Sequence, residues 1–299
     1  MRRANETFVT DRPYDRPGSH RAPLRSYAAG MGDRVRVTVD EGVVEVRLDR
    51  PDKINALDPA MFAAIVEAGE ALKDDASVRA VVLCGEGRGF CAGLDFASFA
   101  AMAGGDVQRG ETASIGETGG RVTHLAQQAA WVWSEVPVPV IAAVHGACLG
   151  GGLQIALGAD LRIVAADAKL SVLEVRWGLT PDMTATLTLP RLVGLDVAKE
   201  LTWTGRTVTG DEAVRLGLAT RVADDPRAAA HELAREIAGK SPDAVRGAKR
   251  LFDWSAGRTF ADQLADERTT IGSLIGSKNQ AEAVTAYFEK REPAFADPS

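Results

Sequence analysis

The chain has 299 residues, 45% of them hydrophobic and 25% charged, enough to bury a large core in one large domain or two small ones. Its formal charge of -6 speaks against nucleic acid or an anionic membrane as a partner, since both select for clustered Lys and Arg, and no apolar run of about eighteen residues is present to span a bilayer. Cys84, Cys91 and Cys148 are odd in number and dispersed without CxxC spacing, so neither a zinc site nor a disulfide framework is expected and a reducing, cytoplasmic setting fits best.

Residues 1–30 are rich in Arg and Pro, lack an apolar stretch and contain Glu6, Asp11 and Asp15. That argues against a secretory or transit signal and predicts a disordered extension. From residue 34, "RVRVTVDEGVVEVRLDRP" reads as two strands joined by a hairpin at Asp40, Glu41 and Gly42. "DPAMFAAIVEAGEALKDD" has helical spacing, with Asp58 as N-cap and Pro59 at the first helical position. "VRAVVLCGEG" predicts a buried strand. Residues 98–120 are Gly-rich without a sustained period and read as a short helix followed by a mobile loop.

A helix over about 121–135 precedes the buried strand "VPVPVIAAVHG", a glycine run and another helix; "ADLRIVAADAKLSV" then reads as a strand. The remainder is mostly helical, and amphipathic segments such as "DPRAAAHELAREIAGK" and "NQAEAVTAYFEKR" suit an oligomer as well as a core. Interleaved strands and helices followed by helices alone predict an α/β core with a helical C-terminal region. The boundary falls within 190–209, giving an extension at 1–30, a core at 31–205 and a helical region at 206–299.

Two segments share one design of strand, glycine turn and helix: "VVLCGEGRGFCAGLDFASF" and "PVIAAVHGACLGGGLQIAL". Glycine lets the backbone approach a ligand, and a helix start leaves N–H groups unpaired with a partial positive charge. Together two such turns can aim two donors at one oxygen, as in an oxyanion hole. Tight packing between strands and helices is the other reading of the same glycines.

"LDRPDKINALDPAMF", "GRGFCAGLDF", "PVPVIAAVHGACLGGGLQIALGADLRI", "AKLSVLEVRWGLTPD" and "AYFEKREPAF" occur in this order, and in them the chain resembles the crotonase superfamily, the enoyl-CoA hydratases and isomerases. The resemblance covers roughly residues 34–295. It implies a spiral of ββα units with a helical trimerisation region, an acyl-CoA thioester as substrate, and assembly as a homotrimer or hexamer. It also implies a thioester oxygen held by the N–H groups of Leu94 and Gly151. Lys53, Asn55, Ala56 and Leu57 in "KINAL", Ala92 and Asp95 beside the first turn, and Lys290 in "FEKR" match the family's CoA-binding stretches. Polarising a thioester carbonyl stabilises the enolate left when an α proton departs, so no metal and no cofactor beyond the substrate's own coenzyme A is expected.

The resemblance also places the side chains. The hydratases hold a water with two glutamates, where this chain has Gln154 and Glu174. An amide orients a water but exchanges no proton near neutral pH, whereas Glu174, in the apolar "SVLEVRWG", is a candidate base of raised pKa. One base suffices for enoyl-CoA isomerisation. Asp182 matches a second acid of the dienoyl-CoA isomerases, which would relay a proton along a conjugated system; following Pro181 and preceding a helical run, it could equally be an N-cap. Isomerisation is the favoured expectation, with hydration by Glu174 and Gln154 and a non-catalytic acyl-CoA-binding protein as alternatives.

Other residues carry weaker signals. His145 continues an apolar strand and reads as structural, and Cys91 and Cys148 read as small packing residues. Trp131 and Trp177 fit an acyl pocket or the core equally well. Phe99 and Met102 could border the pocket, with 106–120 as a lid.

Overall fold

The computed structural model describes residues 32–95, 118 and 120–298. The extension at 1–30 and the expectations for Phe99, Met102 and most of 98–120 lie outside the described residues.

The predicted hairpin is present: β1 (Val35–Asp40) pairs antiparallel with β2 (Val43–Leu48). Glu41 (φ 46°) and Gly42 (φ 84°) turn between them in the left-handed region that matches the strand twist. Helix α1 (Pro59–Lys73) starts where its cap was expected, the Asp58 carboxylate accepting from the Met61 N–H at 2.8 Å. β3 (Ala80–Gly85) is buried along its whole length, as suits a strand covered on both faces. Helix α2 (Leu125–Glu135) begins later than the periodicity suggested. His124 forms the N-cap, its ring accepting from the Gln127 N–H while the Gln127 side chain accepts from the His124 N–H.

The second half of the core is a spiral. β4 (Val140–Val144) joins a large sheet, β5 (Ala147–Leu149) a small one, and helix α3 (Gly151–Leu157) returns the chain to the large sheet at β6 (Leu161–Val164). β7 (Lys169–Ser171) again enters the small sheet. "ADLRIVAADAKLSV" is therefore two strands in different sheets rather than one: the 165–168 turn redirects the chain, and the Lys169 N–H then pairs with Gly146 O at 2.7 Å.

After a 3-10 helix (Glu174–Trp177) come α4 (Ala185–Val193), α5 (Leu195–Thr204), β8 (Val208–Thr209), α6 (Gly210–Leu216) and β9 (Arg221–Val222). Among the described residues the large sheet runs β1-β2-β3-β4-β6-β9, parallel beyond the first pair, and the small sheet β5-β7-β8. Helices α7 (Pro226–Ala238), α8 (Pro242–Trp254), α9 (Phe260–Leu274) and α10 (Lys278–Glu289) complete the chain. The α/β spiral with a helical C-terminal region is thus present.

Leu57, Met61, Ile65, Phe90, Trp133, Leu153, Ile155 and Leu170 belong to the main core. A second core forms where Val82, Cys84, Ile141 and Ile163 of the large sheet meet Ala230 and Ala234 of α7. That helix is pinned by Glu45 of β2, whose carboxylate accepts from Arg227 at 2.7 and 2.8 Å and pairs with His231 at 2.7 Å. Burial alone would raise the Glu45 pKa; His231 and Arg227 outweigh it and hold it at about 2. The helical region also leaves large apolar side chains in solvent, including Trp203, Phe252, Phe260, Tyr287 and Phe288. Among the described residues no helix is long and apolar enough to cross a membrane.

Candidate active site

Both glycine turns are built from backbone pairing, and they meet. Cys91 bridges Cys148 in parallel, its N–H donating to Ala147 O at 2.9 Å and its C=O accepting from the Leu149 N–H at 3.0 Å. Three residues on, Leu94 bridges Leu57: the Leu57 N–H donates to Gly93 O at 2.8 Å and Leu57 O accepts from the Asp95 N–H at 3.0 Å. In such a parallel bridge the central residue's own N–H faces away from the partner, and no acceptor for the Leu94 N–H is found among the described residues.

Gly151 opens α3, so its N–H is one of the orphan donors of a helix start. Gly93 sits between the two turns at φ 85°. A Cβ there would lie 2.7 Å from Leu149 O and 3.7 Å from Gly151 N, so glycine is what permits this approach. Gly152 likewise has no room for a Cβ, which would meet Cys91 O at 2.6 Å.

Glu174 borders the second turn. A Cβ on Gly150 would stand 3.5 Å from Glu174 Oε1. The Gln154 side chain, 1% exposed, donates from Nε2 to that same Oε1 at 2.5 Å. Its carbonyl accepts from the N–H groups of Met183 at 2.9 Å and Ala185 at 3.3 Å. The other oxygen, Glu174 Oε2, is buried with no hydrogen-bond partner among the described residues. Burial pushes the Glu174 pKa up and the charge of Asp182 adds to this, while the backbone N–H of Glu174 itself, the Gln154 amide and the backbone of Leu173 pull it down.

Asp182 is exposed and does not cap a helix. The N-cap position of α4 belongs to Thr184, which is held at φ 75° with its hydroxyl oxygen buried and unpartnered. The capping alternative for Asp182 therefore fails, because the left-handed turn at Thr184 starts the helix two residues later.

The residues matched to CoA-binding stretches divide. Lys53 is exposed, and Ala92 is half-buried with its N–H on Ile54 O. Leu57 is fully buried, its Cδ1 packed beside Gly151. Asn55 is corrected as a direct ligand contact. It is fully buried at φ 55°, with Nδ2 on the carbonyls of Glu86, Gly89 and Phe90 and Oδ1 on the Arg50 N–H, so its amide is spent on shaping the first turn. Asp95 is buried in an ion pair with Arg50 at 2.6 Å, and the same guanidinium donates to Ala56 O. Lys290 ends α10 in a left-handed cap, exposed, and no hydrogen bond or ion pair joins its side chain to the site among the described residues.

His145 is structural as expected, its Nε2 on Gly87 O at 2.8 Å. Cys91 and Cys148 are fully buried, and burial pushes the Cys91 thiol up to about 12 and that of Cys148 well above its usual range. Trp177 is 45% exposed on the 3-10 helix that carries Glu174. Trp131 lines a separate cleft with Arg191, Lys249 and Phe252, so the acyl-pocket alternative is not supported for it. Among the described residues no cluster of His, Cys, Asp or Glu is placed to hold a metal. Sequence reasoning missed Arg50 and Met183; the Met183 Sδ would lie 3.0 Å from a Cβ on Gly151, walling the donor turn with apolar surface.

Comparison with known proteins agrees with this geometry. Residues 38–298 match the family described as enoyl-CoA hydratase/isomerase. The chain is 33% identical over 268 residues to the mitochondrial Delta(3,5)-Delta(2,4)-dienoyl-CoA isomerase of Mus musculus, covering 87% of this chain and 81% of that one. It is 31% identical over 287 residues to the mouse mitochondrial methylglutaconyl-CoA hydratase, covering 92% and 88%. The crystal structure of an enoyl-CoA hydratase from Bacillus anthracis superposes with a TM-score of 0.80 at 30% identity, covering 89% of this chain and all of that one. With its paired glycine turns, the half-buried Glu174 and a family match that runs almost from β1 to the C-terminus, the chain belongs to the enoyl-CoA hydratase/isomerase family and has the crotonase fold.

Proposed function

We propose that this protein moves the double bond of an enoyl-CoA thioester rather than adding water across it. The observation that carries the proposal is the engagement of Gln154: one of its two N–H groups is spent on Glu174 and its carbonyl on two backbone N–H groups. A hydratase needs a second group beside the glutamate that exchanges a proton with the water, and this amide, its carbonyl closed by two N–H groups, can only donate its remaining N–H. Glu174 keeps one buried oxygen, Oε2, without a hydrogen-bond partner among the described residues.

In the proposed reaction the thioester oxygen accepts from the N–H groups of Leu94 and Gly151. Glu174 removes a proton from the α carbon of a 3-enoyl-CoA, and the electron pair delocalises into a dienolate held by those donors. The same carboxyl returns the proton to the γ carbon, giving the 2-enoyl ester. A raised pKa suits an acid that must both take and give a proton near neutral pH. Leu57 and Met183, beside Gly151, keep water from the enolate.

A second reading follows from Asp182. Free of any capping duty and near enough to act on the charge of Glu174, it supports a relay on a 3,5-dienoyl-CoA, with Asp182 serving the far end of the diene. Lys53 and Lys290 are exposed cations, as contacts with CoA phosphates require. The apolar side chains left in solvent on α5 and α8–α10 support a homo-oligomer, a trimer or hexamer.

The test is turnover of 2-enoyl-, 3-enoyl- and 3,5-dienoyl-CoA by the wild type, Glu174→Gln and Asp182→Asn. Isomerisation of the 3-enoyl ester, reduced by about 10²–10⁴-fold in Glu174→Gln with CoA-ester binding retained, is expected. Diene conversion lost in both variants would establish the relay. Hydration of the 2-enoyl ester as the fastest reaction would overturn the isomerase reading, and binding without turnover would favour a non-catalytic acyl-CoA-binding protein.

A further inference from the structure

The 182–185 segment has an unusual backbone. Thr184 is a β-branched residue in the left-handed region, at φ 75°, a strained conformation that persists only where its surroundings impose it. Its consequence is visible in the neighbours: the N–H groups of Met183 and Ala185 converge on one acceptor, the Gln154 carbonyl oxygen. Converging main-chain N–H groups around a left-handed residue form a nest, a concavity that suits an oxygen of negative partial or full charge. The nest lies at the start of α4, whose dipole has the same preference.

The nest decides which way round the amide stands. Two N–H donors on one side and a carboxylate oxygen on the other leave a single orientation, carbonyl into the nest and NH2 toward Glu174. Amide orientation is often ambiguous from shape alone, and here the partners fix it. One carboxylate oxygen is thereby occupied and the other left over.

We propose that Gln154 is a positioning residue: seated by its carbonyl in the Met183/Ala185 nest, it clamps Glu174 Oε1 and thereby leaves Oε2 as the one oxygen that exchanges a proton. The proposal rests on the reading of Glu174 as the proton-transferring group. It differs from a water-orienting role, since the amide acts through Glu174. Among the charged groups of the described residues, Asp182 is the one whose field reaches Glu174 from a neighbouring element. Arg176, on the same 3-10 helix, is turned toward Gly205, where its Cγ would lie 3.3 Å from an added Cβ.

The clamp favours the ionised form of Glu174, because a carboxylate accepts a hydrogen bond more strongly than a carboxylic acid does. A carboxylate at position 154 would keep one oxygen in the nest and bring the other to where Nε2 now stands, 2.5 Å from Glu174 Oε1. Two carboxylate oxygens that close share a proton, and the pair titrates in two coupled steps.

The experiment is a pH titration of side-chain-carboxyl 13C-glutamate-labelled full-length protein, with the Glu174 resonance assigned by its loss in Glu174→Gln. The variants are Gln154→Met, which keeps the length and removes the donor, and Gln154→Glu, which keeps an occupant in the nest. The expected result is an upward shift of the Glu174 midpoint in Gln154→Met and a two-step titration in Gln154→Glu, its upper step above the wild-type midpoint. An unchanged midpoint in folded Gln154→Met, or a single step at the wild-type midpoint in Gln154→Glu, overturns the proposal. If Gln154→Met does not fold, Gln154→Glu decides alone. No substrate is needed: a shifted midpoint without turnover of any enoyl-CoA upholds the clamp and defeats the isomerase reading, whereas isomerase activity with an unmoved midpoint does the reverse.

Discussion

Gly93→Ala tests whether the two glycine turns form one site. The added Cβ would stand 2.7 Å from Leu149 O and would occupy a residue whose φ is 85°. The left-handed backbone costs about 1–2 kcal/mol for a residue with a Cβ, and overpacking against a buried neighbour costs about 1–3 kcal/mol more. Reaching ordinary contact requires the turns to part by somewhat under about 1 Å, since carbon atoms settle at about 3.5 Å or more from their neighbours. Because Leu94 follows directly and Gly151 N lies 3.7 Å from the new Cβ, the separation falls between the two N–H donors. Misplacing an oxyanion donor costs about 10²–10³-fold in turnover. Gly257→Ala is the control: its φ is 89° and nothing lies within 4 Å of an added Cβ, so it carries the backbone cost without the clash. The assays are urea-unfolding midpoints and kcat on 3-enoyl-CoA. We expect Gly93→Ala to lose about 2–5 kcal/mol and most of its turnover, and Gly257→Ala to lose only the smaller backbone share with full turnover. A folded Gly93→Ala protein as active as wild type would refute the reasoning, since two donors pushed apart could not still serve one oxygen.

Other consequences are open to measurement. Glu45 has its pKa drawn from 4.5 to about 2 in the folded protein; this lowered value contributes about 3 kcal/mol of stability at neutral pH, present above the unfolded value and lost as pH falls through the folded one. Glu45→Gln should therefore be less stable than wild type at pH 7 by up to that amount, with the gap narrowing below about pH 5; a gap independent of pH would show that packing, not charge, holds α7 to β2. The thiols of Cys91 and Cys148 are buried and raised, so Cys91 should react with a thiol reagent at pH 8 about 10³-fold more slowly than a free cysteine, and Cys148 also more slowly, until the protein is unfolded. Rapid labelling of the folded protein would contradict their placement.

Local signals were the most legible in sequence. The hairpin at Glu41 and Gly42 and the Asp58 cap with Pro59 are decided by residues adjacent in the chain, and each forms where expected. The glycine turns were recognisable because a strand, a turn and a helix follow one another within a short span. What escaped depends on distant partners. Asn55 bonds carbonyls 31 to 35 residues away, and no periodicity in "KINAL" separates a residue that shapes a turn from one that touches a ligand. Asp182 has the context of a cap, with Pro before it and a helix after it, but the left-handed turn at Thr184 moves the helix start out of its reach. The role of Gln154 was hidden for the same reason: its acceptor and donors lie 20 to 31 residues on, and only folding shows that its carbonyl is closed and one N–H is given to Glu174.

The N–H groups of Leu94 and Gly151 belong to the main chain, and this bears on heredity. A point mutation can erase a side chain but cannot erase a peptide donor; it can only shift it, and the glycines at 93 and 152 are where such a shift is forced by contact. The amide at 154 and the acids at 174 and 182 are side chains, which substitution can exchange while the peptide donors remain part of the chain. On the proposed reading of these donors, a lineage built on this backbone inherits its hold on a carbonyl oxygen while its proton chemistry drifts, so that a new reaction is a few codons away rather than a new fold.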